Sequence, residues 1–244
     1  MKKLLTIVIA ALGIAVLPAA SPRPVLHFPA NEGSGDILKN VGSAEGCDAR
    51  IIGTDFQWDA ARDGGKAIAF LNPPKCVTGK NSCAIVNLKG KMDFTKPFTA
   101  MFWVNLDPAL LINSQYTIIG NVKSDYGPGW RIIYSYNAFR FIAGGGTAAT
   151  IGSLSLNPGK TPHPKGAWHH LGAVYDGENV KLYLNGIESA AGALKLQSGH
   201  DTLTVGAYDA GYAYGFRGSL SDIKFFDCAL TPEQMVAEAQ GIRE

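Results

Sequence analysis

Glutamate is scarce in this chain, and none of it is paired. The seven Glu residues are Glu32 and Glu45 in early loops, Glu178 and Glu188 at hairpin ends, and Glu233, Glu238 and Glu244 in the tail. No strand-like segment carries two of them at i, i+2 or i, i+4, and no paired Asp takes their place inside a strand. Retaining cleavage of a glycosidic bond needs two carboxyls about 5–5.5 Å apart, so this chemistry is disfavoured. Cysteine is also sparse: there are four, with no CxxC spacing, which argues against zinc. No Gly-x-Ser-x-Gly elbow occurs. Gly144-Gly145-Gly146 lacks the strand–loop–helix setting of a phosphate cradle and reads as a hairpin turn. No basic stripe marks a nucleic-acid partner. There is also no internal repeat, low-complexity block or long linker.

Long apolar runs are missing too, with one short exception. Lys2 and Lys3 precede Leu4 to Leu17, and Pro18-Ala19-Ala20-Ser21 follows. The run is shorter than the ~20 residues of a spanning helix. It has the n-region, h-region and small residues of a signal peptide over residues 1–21, so export to the periplasm or beyond is expected, with no membrane span after removal. Of 22 basic residues, subtracting Lys2 and Lys3 leaves 20 against 20 acidic ones, a near-neutral mature chain of residues 22–244. In an exported chain four cysteines suggest two disulfides. Cys76 and Cys83 enclose a short polar loop and would pair locally, leaving Cys47 for Cys228.

What is abundant is short apolar strands punctuated by Gly, Pro, Asn and Asp. Strand candidates are residues 25–28, 66–71, 84–88, 98–106, 116–122, 130–136, 138–143, 149–154, 202–205 and 219–226. Phe98 to Leu106 is apolar on both parities, as in a strand covered on both faces. Trp168 to Gly186 reads as a hairpin turning at Asp176-Gly177-Glu178-Asn179. Its neighbours His169 and His170 point to opposite faces and cannot share one ion. Thr231-Pro232-Glu233-Gln234 predicts a helix start, with an N-cap Thr, Pro at N1 and a capping-box Gln. The fold class is all-β: a two-sheet antiparallel jelly-roll sandwich with a short C-terminal helix, in one domain.

Several segments, in order, resemble the LamG-like jelly rolls, the laminin-G relatives in the concanavalin A-like lectin/glucanase superfamily. Val25-Leu26-His27-Phe28 with Glu32-Gly33-Ser34-Gly35 resembles the opening strand and loop. Gly65 to Phe70 and Phe98 to Val104 are similar to the next two. The Trp168–Gly186 hairpin, Phe216 to Ile223 and Cys228 to Gln234 complete the series. The resemblance implies two antiparallel sheets, one curved, with binding loops at the concave rim. It also implies a structural Ca²⁺ in several members, held by an Asp just before the last strand. Asp222 is similar to that residue, and Asn40 stands where the pattern often has Asp. Loop carbonyls near Asn31-Glu32-Gly33 and Asn40-Val41-Gly42 would complete the oxygen shell.

Aromatic residues divide by context. Trp103 and Trp168, inside apolar strands, are expected in the core. Tyr208, Tyr212 and Tyr214 lie in a glycine-rich loop before the last strand, with Asp209 among them, and Trp130 follows a second loop, Tyr126-Gly127-Pro128-Gly129. Aromatic rings stack on sugar faces while nearby carboxylates or amides take hydroxyl hydrogen bonds. If the loop is extended, Tyr212 and Tyr214 share one side. The leading expectation is a non-catalytic module that binds a glycan or surface polymer at Tyr208, Asp209, Tyr212, Tyr214 and Trp130. The rivals are an adhesion module for a protein partner and, behind it, a hydrolase or lyase whose site the motifs do not reveal.

Overall fold

The computed structural model describes residues 22–241 apart from Cys76, Lys80, Lys123, Gly146, 148–150, Pro158 and Thr161. The expected signal peptide, residues 1–21, lies outside the described residues. In chain order the early strands are β1 (Leu26–Phe28), β2 (Ile37–Leu38), β3 (Ala49–Ile52), β4 (Phe56–Ala60), β5 (Lys66–Leu71) and β6 (Cys83–Asn87). The middle strands are β7 (Phe98–Leu106), β8 (Gln115–Gly120), β9 (Gly129–Ser135), β10 (Ala138–Gly144) and β11 (Gly152–Ser155). Then come β12 (Trp168–Tyr175), β13 (Asn179–Leu184), β14 (Ile187–Ala193), β15 (Thr202–Val205), β16 (Arg217–Phe226) and the helix α1 (Pro232–Gln240).

These strands form two antiparallel sheets. Sheet I runs β14-β13-β12-β7-β16-β5-β4, with β1 also on β16, and sheet II runs β11-β10-β9-β8-β15-β6-β3-β2. Alternation sends Phe98, Ala100, Phe102 and Val104 of β7 inward to meet Trp130, Ile132 and Tyr134 of β9 and Phe139 and Phe141 of β10. Trp130 is fully buried there, stacked on Phe141 with ring centroids 5.5 Å apart. The Trp168–Gly186 hairpin is the pair β12–β13. Asp176 Oδ1 accepts the backbone N–H of Glu178 and Asn179, which closes its turn.

The opposite parity of β7 serves a second layer. Met101 joins Val174, Tyr183, Phe226, Leu230 and Met235 in a separate apolar cluster beneath α1. The expectation that β7 is covered on both faces holds for this reason. The helix starts as its sequence predicts, with a complete Thr231–Gln234 capping box and Pro at its start, and ends at Gly241 in the left-handed region. It lies close to the sheet because β12 has no side chain at Gly172. A Cβ there would come 2.3 Å from Met235 Cε.

The expected Cys47–Cys228 disulfide is not formed. Cys47 is buried in the inter-sheet core with its Sγ directed at the Leu88 carbonyl, whereas Cys228 packs on the helix-side cluster. Sheet I stands between them. Cys83 is likewise a free thiol, buried and pushed up to about 12 by desolvation. Its expected partner, Cys76, lies outside the described residues.

Candidate functional site

The segment between β15 and β16 is tightly held. Gly206, at φ +94°, faces the Phe70 ring so closely that a Cβ would lie 2.6 Å from it. The Gly206 N–H donates to Ile118 O, and the Phe216 N–H donates back to Gly206 O, both at 2.7 Å. Buried Asn72 ties both ends together. Its Nδ2 donates to Gly206 O and Phe216 O as well as Ser82 O, and its Oδ1 accepts the Ser82 N–H. At the tip the backbone turns through Asp209 (φ 42°), Ala210 (φ 51°) and Gly211 (φ 91°), and Tyr214 is again left-handed (φ 51°). Left-handed non-glycine residues cost of order 1–3 kcal/mol each and cluster at functional sites. Here the surrounding hydrogen bonds hold them.

That backbone path separates the predicted aromatic group. Tyr208 is buried edge-to-face against Tyr214, with centroids 5.7 Å apart. The Arg131 guanidinium lies over both rings, at 5.1 and 5.6 Å. Asp125 accepts hydrogen bonds from Arg131 and from the Tyr214 hydroxyl, both long. Burial, with the Asp125 charge adding, pushes the Tyr208 hydroxyl up to about 12. Trp130 belongs to the core and cannot touch a rim ligand. Tyr212, by contrast, is 60% exposed. The turn at 209–211 and the left-handed Tyr214 prevent the extended arrangement that would put Tyr212 and Tyr214 on one side.

Tyr212 instead shares an open depression of about 600 Å³ with Asp209, Asn81 and Thr54. The Gly79 and Asn81 N–H groups donate to carbonyls of the loop, at Tyr212 O and Gly211 O, so this wall is fixed. Asp209 is exposed and forms no ion pair or side-chain hydrogen bond among the described residues. On the other side of the same loop a nook of about 70 Å³, lined by Thr117, Asn121, Tyr208 and Asp209, is the size of a few waters.

The predicted calcium residues do meet across one strand end, through a His rather than an ion. The far side of β16 is flanked by β5 over Arg217–Leu220 and by β1 over residues 223–225. Asp222 sits at the changeover, left-handed at φ 49°, where the register on β7 slips between Ser221 and Lys224. Its Oδ1 is 2.7 Å from His27 Nε2 and its Oδ2 is 3.0 Å from Lys224 Nζ, which also reaches Glu238 of α1 at 2.8 Å. Burial alone would raise the Asp222 carboxyl, but the His27 hydrogen bond and the Lys224 ammonium outweigh it and hold it well below the usual range. Asn40 Oδ1 accepts the His27 and Gly42 N–H groups, while its Nδ2 donates to Ala44 O. A Ca²⁺ does not fit this set. Both Asp222 oxygens face donors, the neighbouring cation is already an ammonium, and Asn40 is spent on backbone. No group of three or more His, Cys, Asp or Glu among the described residues is arranged to hold a metal.

The family model described as the concanavalin A-like lectin/glucanases superfamily (Laminin_G_3) matches residues 78–235, well over half of the chain. The chain belongs to this superfamily. No curated protein matches it. Among solved structures, the binding domain of botulinum neurotoxin DC in complex with rat synaptotagmin II superposes with a TM-score of 0.70 at 15% identity, covering 91% of this chain and 52% of that one. The same toxin's binding domain in complex with SialylT gives 0.65 at 16% identity, with 91% and 51% covered. The botulinum neurotoxin serotype C1 binding domain gives 0.65 at 14%, with 91% and 52% covered. The chain spans about half the length of these solved chains, and at such identity the likeness is one of fold.

Within this superfamily fold, sequence reasoning overlooked the outer face of sheet I. Trp103 is buried as expected, but on that face rather than between the sheets, under the Arg62 guanidinium, 4.0 Å from its ring centroid. His170 packs beside Trp103 at 5.2 Å, and burial, with the Lys224 charge adding, pushes its imidazole down to about 3. His169 points the other way, to Pro164 O at 3.0 Å. The alternation Leu26-His27-Phe28, with Leu26 and Phe28 fully buried, is the signal that would have placed His27 on the same outer face.

Proposed function

We propose that this protein is an exported, non-catalytic binding module that recognises a carbohydrate or surface polymer through the 206–216 loop, with Tyr212 and Asp209 as its contacts. The observation that carries this reading is the exposed Tyr212 ring beside an Asp209 carboxylate unpaired among the described residues, on a strained but firmly pinned loop above an open depression. A ring face for stacking and a carboxylate, an amide (Asn81) and a hydroxyl (Thr54) for sugar hydroxyls are the chemistry a saccharide needs. Tight pinning limits the ordering cost of binding. The absence of paired glutamates supports a binding role over cleavage, and where Asp222 and Glu238 converge, Lys224 joins them. The solved neighbours are binding domains, one described with SialylT. Export rests on the leader sequence.

A glycan array probed with wild type, Tyr212→Ala and Asp209→Asn tests the reading. Binding that survives in wild type and is lost in both variants supports it; binding untouched by either removes this site. A protein partner is the second reading. It is favoured by the exposure of Val77, two residues from Gly79, whose N–H donates to Tyr212 O, and by the neighbour described with rat synaptotagmin II. An array without hits, combined with a protein ligand sensitive to Tyr212→Ala, would decide for it.

A further inference from the structure

On the outer face of sheet I, the divergence of β5 and β1 from β16 opens a cleft of about 550 Å³, closed at one end by the last turn of α1. This lies within the range of about 300–1,000 Å³ typical of small-ligand sites. It shares no lining residue with the Tyr212 depression. Trp103 and Ser221 come from the sheet, Arg62 and Asp63 from the turn joining β4 to β5, and Lys66 from the first position of β5.

The charges of the cleft are not equally committed. Asp222 shares the Lys224 ammonium with Glu238 and is hydrogen-bonded to His27, so both of its oxygens face donors. Asp63 accepts the Gly65 N–H within its own turn. Arg62 and Lys66 are exposed, and neither forms an ion pair or side-chain hydrogen bond among the described residues. Arg62 also packs on the sheet. Its guanidinium rests on the indole of Trp103, which uses its π face and keeps its in-plane N–H donors for a ligand. A planar fork held in this way suits two parallel hydrogen bonds to an oxyanion. Behind the indole, the buried His170 ring limits Trp103's freedom to swing.

We propose that this cleft is a second binding site, for a small ligand that carries a carboxylate or sulfate on a sugar-sized ring. Arg62, seated on the covered Trp103 indole, takes the oxyanion as a fork, Lys66 adds the second positive charge, and the ring lies in the cleft beside Val41 and Pro29. The site is independent of the Tyr212 loop, so either can fail alone.

The test is an NMR titration of the full mature chain at low salt, following the indole Nε1–H signals. The Trp103 signal is assigned by its loss in Trp103→Phe, and that of core Trp130 serves as the internal check on folding. The probes are glucuronate, glucose 6-sulfate, glucose and inorganic sulfate. A saturable shift of Trp103 with glucuronate or glucose 6-sulfate, and none with glucose, is expected. Whichever acid binds assigns the oxyanion. Arg62→Ala should weaken binding about tenfold or more, because it removes charge-assisted hydrogen bonds. Arg62→Lys should restore part of it, and Lys66→Ala should cost less. No saturable shift, an equal response to glucose, or an affinity unchanged in Arg62→Ala overturns the proposal. Inorganic sulfate binding as tightly as glucose 6-sulfate overturns its saccharide part.

Discussion

Lys224 links the last strand to the closing helix, and its removal provides the sharpest test of how this face is held. In Lys224→Met the ammonium disappears from between Asp222 and Glu238, whose side chains are only 24% and 16% exposed. Removing one partner of a buried pair costs roughly 3–5 kcal/mol. The partial exposure of both carboxylates and the surviving His27 hydrogen bond reduce this, leaving about 2–3 kcal/mol. For a chain of this length that corresponds to a fall of about 5–10 °C in Tm. Urea unfolding at neutral pH and at about pH 3 measures it. Asp222 has a folded pKa held below its ordinary 3.8, so its contribution is present above 3.8 and is lost as the pH falls below it. The variant loses one cause of that depression, and protonation relieves its uncompensated charge. Its deficit should therefore shrink in acid. A loss under about 0.5 kcal/mol at neutral pH, or a deficit as large in acid, would refute the assignment of Lys224 as a charge bridge.

Gly206→Ala should destabilise by about 1–3 kcal/mol or more, since a Cβ at φ +94° meets the Phe70 ring at 2.6 Å; thermal melting checks it, and an unchanged Tm would contradict the packing. His170 has a folded pKa near 3, below its ordinary 6.5, so its contribution is full above 6.5 and declines as the pH falls through the interval below. His170→Gln should flatten the stability profile between those values, as followed by denaturant midpoints. Calcium and EDTA should leave the melting temperature of metal-loaded protein unmoved, because Asp222 and Asn40 have no free oxygen set to offer; a clear shift would place an ion elsewhere. Dithiothreitol should likewise leave Tm unchanged, given free thiols at Cys47, Cys83 and Cys228, and a fall would reveal a stabilising disulfide.

The strands with strong alternation or doubly apolar faces were legible residue by residue, as was the helix start at Thr231. The weak strands at and beside the sheet edges were not. β2, β3 and β4 lie in a polar, glycine-rich stretch, and β14 is built of small residues whose pairing is carried by backbone. Trp130 follows Gly127-Pro128-Gly129 and read as a rim contact at the start of a strand, yet it is the second residue of β9 and points inward. In β7, apolar residues on both parities showed that both faces are covered. They did not show that Trp103 would meet Arg62 in a cleft while Phe102, next to it, enters the core.

The sequence by itself determined the sandwich, its hairpin and its capped helix, because these depend on local periodicity, turn chemistry and capping hydrogen bonds. Tertiary structure alone decided which side chains meet. Left-handed residues at 209, 210 and 214 send Tyr212 outward and leave Tyr208 and Tyr214 on Arg131. A whole sheet separates Cys47 from Cys228. A bulge at Asp222 joins His27, Lys224 and Glu238, residues as far as 211 positions apart, from His27 to Glu238 (238 − 27). Such meetings depend on register and sheet curvature, which no window of neighbouring residues contains.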